Sequence, residues 1–258
     1  MLRELIVGGT VLGLSACAVA PSLSTNGAAL PIGDVSTQAP DGIAVYGTTY
    51  FADLPETAQL IVLFHQGGSN ARGEYAPLIP WLNQNGYRLI AWDLRAGGDL
   101  YGEENRTAQA MLPAKATSYC EAYGDMQAAL EFSVEYSATN SAIIWGYSYS
   151  AALVFHLAAD APDQVSRLVA ASPASGPPMA ACLARARLDD LTRPALVLRP
   201  ASEMRSPSAQ EQKQLLEDAQ IPVWVLEDGV HGSSMLVDSR TEANMSEFRA
   251  AVIAWLAE

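Results

Sequence analysis

Three residues of this chain could share an acyl-transfer reaction, and each stands just past a short apolar run. Ser148 lies in GYSYS, residues 146–150, after the apolar run 142–145. Glu203 lies in RPASEM, residues 199–204, after 195–198, and His231 lies in EDGVHGSSML, residues 227–236, after 223–226. A free serine hydroxyl is a poor nucleophile at neutral pH and needs a base beside it. An imidazole can be that base, and a carboxylate on its other nitrogen fixes the tautomer and stabilises the imidazolium formed during attack. The order along the chain is nucleophile candidate, acid, base. Asp228, three residues before His231, competes with Glu203 for the acid's place.

The elements that must position these residues can be read from the apolar pattern. Strand-like runs occupy residues 44–51, 60–64, 88–92, 142–145, 165–170, 195–198 and 223–226. Helical spacing fills residues 74–85, 118–136, 151–159, 209–218 and 241–257 between and after them. Short continuous apolar strands separated by crossover helices imply a mostly parallel sheet covered on both faces. The expected fold is α/β: a single doubly wound domain over residues 42–258. In such sheets the ligand crevice opens at the carboxyl ends of the strands, where the three candidates stand.

The segment HQGGSN, residues 65–70, follows the strand 60–64, and its paired glycines let backbone amides approach a ligand. Together HQGG, GYSYS, the acid after a later strand, HGSSML around the last histidine and WDLRAGG at 92–98 resemble the α/β-hydrolase superfamily, in its dienelactone-hydrolase-like branch. The order Ser, then Asp or Glu, then His agrees with that family. The resemblance implies Ser148 as nucleophile, His231 as general base and Glu203 as acid. It implies an oxyanion hole made by the backbone N–H of Tyr149 and one from the HQGG loop, assigned to Gln66. One position departs from the family's G-x-S-x-G elbow: Ser150 stands where the second glycine belongs, a site that must be small.

Other candidates have plainer readings. His65 is expected to orient the oxyanion loop, and His156, inside an apolar helical stretch, to be a satisfied core histidine. Asp93, Arg95, Asn105 and Thr107 follow another strand, where lining a pocket rim and bracing one another are equal alternatives. There is no His-Glu-x-x-His, no Cys-x-x-Cys and no P-loop, so neither metal nor cofactor is implied. The formal net charge of −13 argues against nucleic acid as a partner.

The N-terminus has Arg3, an apolar run to Leu14 and small residues after it, a signal-peptide layout too short to span a bilayer comfortably. Leu14-Ser15-Ala16-Cys17 resembles the lipobox of bacterial lipoproteins, which implies a signal peptide at 1–16 and lipidation at Cys17; an ordinary secretory signal cleaved near Ala20 is the alternative. Two or more acyl chains would anchor the protein firmly. Ala18 after the cysteine resembles sorting to the outer membrane, so the expected place is the periplasmic face of that membrane. Residues 17–41, rich in Pro, Ser, Thr, Gly and Ala, read as a flexible tether. Cys120 and Cys182 form an even pair in a compartment that permits disulfides, with two separately buried thiols as the alternative.

The expectation is a membrane-tethered serine hydrolase of carboxylic esters or related small acyl compounds. Two rivals stand beside it: an acyltransferase using the same acyl-enzyme, and a non-catalytic binding protein of the same fold. Residues 173–191 leave room only for a short cap, which favours an open pocket.

Overall fold

The computed structural model describes residues 33–111 and 117–258. The expected signal peptide, Cys17 and the first part of the tether lie outside the described residues.

Eight strands form one sheet: β1 Gly33–Gln38, β2 Ala44–Tyr50, β3 Leu60–Phe64, β4 Arg88–Asp93, β5 Ala142–Tyr147, β6 Val165–Ala171, β7 Ala195–Pro200 and β8 Val223–Leu226. Their order is β1-β2-β4-β3-β5-β6-β7-β8. β1 and β2 are antiparallel additions at one edge, and every pair from β4 onward is parallel. Side chains alternate across the pleat. Val62, Phe64, Ile90 and Ile144 therefore pack on one face with α4 Tyr123–Tyr136 and α5 Tyr149–Asp160, whereas Ile61, Leu63, Leu89 and Ile143 face Leu82, Val252 and Leu256 on the other. Both faces are thus covered, as a parallel sheet requires. The remaining helices are α1 Ala71–Tyr75, α2 Ile79–Gln84, α3 Arg106–Ala110, α6 Pro207–Asp218, α7 Asp238–Thr241 and α8 Ser246–Leu256.

Three expectations need correction. Residues 33–38 of the expected tether form the edge strand β1, which pairs with β2 from Gly33 opposite Thr49 to Gln38 opposite Ala44. Its sequence, GDVSTQ, has no apolar run, and what orders it is the free edge of β2 and ion pairs. Asp34 meets Arg106 at 2.7 Å, and Asp41 meets Arg95 at 2.5 Å. The helical stretch 74–85 is two short helices, because Pro77 and Pro80 cannot sit inside a continuous helix; Pro80 falls in the first turn of α2 instead. The last stretch is also divided, at Glu242, whose φ of 59° caps α7 in the left-handed region.

The segment between β6 and β7 contains two short 3₁₀ turns, Pro177–Met179 and Ala184–Arg187. It lies along α5: His156 Nε2 is 3.1 Å from the carbonyls of Cys182 and Leu183, and Arg187 pairs with Asp160 at 2.7 Å. A disulfide joins Cys120 to Cys182, fastening this short cap to the turn that precedes α4.

Candidate active site

The parallel register brings the loops that carry the candidate residues to the carboxyl end of the sheet. Phe64 of β3 is level with Gly146 of β5, Ala171 of β6 with Leu198 of β7, and Pro200 of β7 with Leu226 of β8. The residues that follow these strands therefore emerge together.

Ser148 occupies the one-residue turn between β5 and α5, with φ 58° and ψ −117°. That backbone conformation is costly for a residue bearing a Cβ and persists only where its surroundings enforce it. Here the enforcement is a set of main-chain bonds. Ser148 N donates to Ala171 O at 2.9 Å, and Ser148 O accepts from Ala152 N at 3.3 Å and Ala174 N at 3.0 Å. The strand and helix cross so closely that a Cβ on Gly146 would lie 2.5 Å from Ser150 O, so the first glycine of the elbow is required. Ser150, in place of the second, is buried and put to use. Its hydroxyl accepts from Tyr147 N at 2.8 Å and lies 2.9 Å from Phe64 O and 3.0 Å from Tyr147 O, either of which can take its proton. The departure from the family pattern thus ties the elbow to the end of β3.

His231 and Glu203 are brought together. His231 Nδ1 is 2.6 Å from Glu203 Oε1. The imidazole side chain is 51% exposed and the carboxylate 19%. Asp228 is exposed and makes no such contact among the described residues, which separates the two candidate acids. Below Glu203 lies a residue that sequence reading passed over: Arg199 donates from Nη1 to Glu203 Oε2 at 2.5 Å. Its signal was a lone cation at the end of the apolar strand ALVLRP. Burial pushes the Glu203 carboxyl up, but the hydrogen bond from His231 and the charge of Arg199 outweigh it, so the group is held below its ordinary value.

The oxyanion loop departs from expectation at one residue. Gln66 N–H points at the buried Glu74 carboxylate, 3.2 Å from each oxygen, and so is already engaged. Gln66 is therefore not the free donor. Among the described residues the next amide, Gly67 N–H, has no protein acceptor, and neither does Tyr149 N–H at the start of α5. Gly67 must lack a side chain, because a Cβ there would lie 2.6 Å from the Tyr119 hydroxyl. Tyr119 in turn stacks on the Tyr149 ring, with centroids 4.8 Å apart.

His65 holds this loop. Its Nδ1 lies 2.7 Å from Gln66 O, and a carbonyl can only accept, so Nδ1 carries the proton. Nε2 accepts from Leu94 N–H at 2.8 Å, and burial lowers the ring's pKa and keeps it neutral. Asp93, Arg95, Asn105 and Thr107 brace the backbone and other side chains around them rather than one another. Asp93 accepts from Ala71 N and Arg106, Arg95 pairs with Asp125 and Asp41, Asn105 caps α3, and Thr107 accepts from Tyr46 N. All four are buried, so they brace rather than line a pocket rim. On the opposite side Gln66 Nε2 donates to the Tyr101 hydroxyl at 3.4 Å, which lies 2.8 Å from Ser234 Oγ. A Cβ on Gly232 would sit 2.8 Å from Gln66 Oε1, so the loop carrying His231 rests against the oxyanion loop.

The family model described as serine aminopeptidase, S33, matches residues 55–253. The chain belongs to this family of α/β-hydrolases. Solved structures agree on the fold. An esterase from Pyrococcus furiosus is similar at 16% identity and TM-score 0.67, covering 88% of this chain and 90% of that one. A dienelactone hydrolase from Anabaena variabilis matches at 16% identity and TM-score 0.62, over 88% and 97%. An acylaminoacyl peptidase from Pyrococcus horikoshii matches at 14% identity and TM-score 0.65, over 88% of this chain but 41% of the other. No curated protein sequence matches the chain.

Proposed function

We propose that this protein is a serine hydrolase of carboxylic esters or related acyl compounds, working through Ser148, His231 and Glu203. The observation that carries the reading is the pairing of an exposed imidazole with an ionised carboxylate, at the carboxyl end of the sheet, where a serine is held in a strained elbow. Glu203 accepts the Nδ1 proton of His231 and so leaves Nε2 as the base. His231 takes the Ser148 proton as Oγ attacks the acyl carbon. Gly67 N–H and Tyr149 N–H receive the developing oxyanion, which replaces Gln66 in the hole the sequence implied. His231 then protonates the leaving group, and water attacks the acyl-enzyme with the same base.

The short cap packed along α5 favours small acyl substrates over long chains. The family description favours a second reading, cleavage of an amide at the N-terminus of a peptide by the same acyl-enzyme. A panel of nitrophenyl esters of graded acyl length beside aminoacyl amides separates the two. Turnover of short esters with little on the amides supports the ester reading, and the reverse preference replaces it. Acyl transfer to added alcohols in preference to water would favour the acyltransferase. We further infer attachment to the bacterial envelope through Cys17; replacing Cys17 with Ser should release the protein from membranes, and a variant that stays bound would count against lipidation.

A further inference from the structure

We propose that Arg199 is a positioning residue for this site, holding the Glu203 carboxylate against the histidine loop and coupling it to the nucleophile loop. The inference rests on the hydrolase reading above. Arg199 ends β7, and its side chain is 3% exposed. Its guanidinium reaches three other parts of the chain: Nη1 donates to Glu203 Oε2 at 2.5 Å, and Nη2 donates to Pro173 O at 2.5 Å and to Gln212 Oε1 on α6. The Pro173 contact leads to the elbow, because the next residue donates its N–H to Ser148 O at 3.0 Å. One cation therefore touches the acid and the segment that holds the nucleophile's backbone.

The two carboxylate oxygens have separate duties. Oε1 faces His231 Nδ1 and Oε2 faces Arg199, so rotation of the carboxylate would break both contacts together. The guanidinium meets the carboxylate through one N–H and uses its other arm on Pro173 O and Gln212 Oε1, a span that an ammonium, as a point charge, cannot reproduce to the same degree. Burying the cation is expensive, and its Nε is a buried donor with no partner among the described residues. A tie needed only for packing could be made by a neutral side chain at lower cost. Among the described residues the titratable groups facing Glu203 are His231, from the loop after β8, and Arg199, from β7.

The test compares the full chain with Arg199→Gln, which removes the charge, and Arg199→Lys, which keeps the charge but not the fork. Thermal unfolding, kcat and KM on a short nitrophenyl ester, and the ¹³C NMR titration of the Glu203 carboxyl, assigned by its disappearance in Glu203→Gln, are read together. In Arg199→Gln kcat should fall about 10- to 100-fold with KM changed less than about 3-fold, as expected for a misplaced catalytic group. The Glu203 midpoint should rise toward the ordinary carboxylate range, because a favourable positive charge has gone. Arg199→Lys should bring the midpoint back down and recover only part of kcat. A folded Arg199→Gln with unmoved midpoint and unchanged kcat overturns the proposal, and so does an Arg199→Lys indistinguishable from Arg199→Gln in both. If Arg199→Gln does not fold, a fully active Arg199→Lys overturns the proposal and a partly active one supports it. Should the wild-type chain show no turnover that depends on Ser148, the hydrolase reading fails, and the carboxyl titration still decides whether Arg199 governs Glu203.

Discussion

Two histidines stand at the carboxyl end of the sheet, and their surroundings differ sharply. His65, directly after β3, is fully buried and has both ring nitrogens engaged by main-chain groups. Protonating its Nε2 would break the bond from Leu94 and leave a buried charge, so the ring is a fixed strut. His231 has one nitrogen held by Glu203 and half of its side chain in solvent, so its other nitrogen is available to gain and lose a proton. What occupies the second nitrogen separates the two rings: a backbone amide on His65, and on the proposed base His231 no partner among the described residues.

That contrast can be tested, and the largest effect belongs to the exposed histidine. His231→Ala should lower ester turnover by about 10⁵- to 10⁶-fold while leaving the unfolding midpoint nearly unchanged, measured by steady-state kinetics and thermal scans. Residual turnover within tenfold of wild type would remove His231 from the base role. Glu203→Gln should cost somewhat less, about 10³- to 10⁴-fold at most, because the imidazole then loses its tautomer control.

His65→Gln should show the reverse pattern. Losing well-aligned buried bonds costs about 2–4 kcal/mol of stability, read as a lower urea midpoint. The wild-type protein should also lose stability as pH falls below about 6.5, since the unfolded chain then binds protons that the buried ring refuses. His156, whose pKa burial also lowers, contributes in the same direction. The carboxylate of Glu203 acts in a lower window: its stabilisation is present above its unfolded pKa and lost as pH falls through the depressed folded value. Urea midpoints recorded from pH 8 to 5 check the histidine part, and a His65→Gln profile as steep as wild type would contradict it.

A second comparison of sites concerns the cap. Removing the Cys120–Cys182 bridge, which closes a loop of 62 residues, should cost about 4 kcal/mol by the chain-entropy relation. Differential unfolding of Cys120→Ser/Cys182→Ser with and without reductant tests this. The smallest effect is expected at Asp228→Asn, where turnover should stay within about twofold, because the carboxylate is exposed and does not meet His231.

Much of this arrangement was legible in the residues. The parallel core could be read because its strands are buried on both faces and so form continuous apolar runs, and because Gly146 marks a close backbone approach between strand and helix. That Glu203 rather than Asp228 meets His231 agrees with its place after β7. What escaped was set by tertiary partners. β1 carries no apolar pattern and is ordered by pairing with β2 and by Asp34 and Asp41 meeting arginines distant in sequence. The identity of the free amide in the oxyanion loop depended on Glu74 turning toward Gln66 N–H, which spacing alone cannot reveal. Arg199 escaped because a single cation at a strand end resembles any surface residue until its three acceptors are brought around it.

The claim at the centre is that Ser148 is activated by His231, and covalent labelling with a fluorophosphonate probe tests it most directly. The account expects rapid labelling of the wild-type chain, none in Ser148→Ala, and labelling slowed by orders of magnitude in His231→Ala. Equal labelling of wild type and Ser148→Ala, or no labelling of a folded wild-type chain, would contradict it.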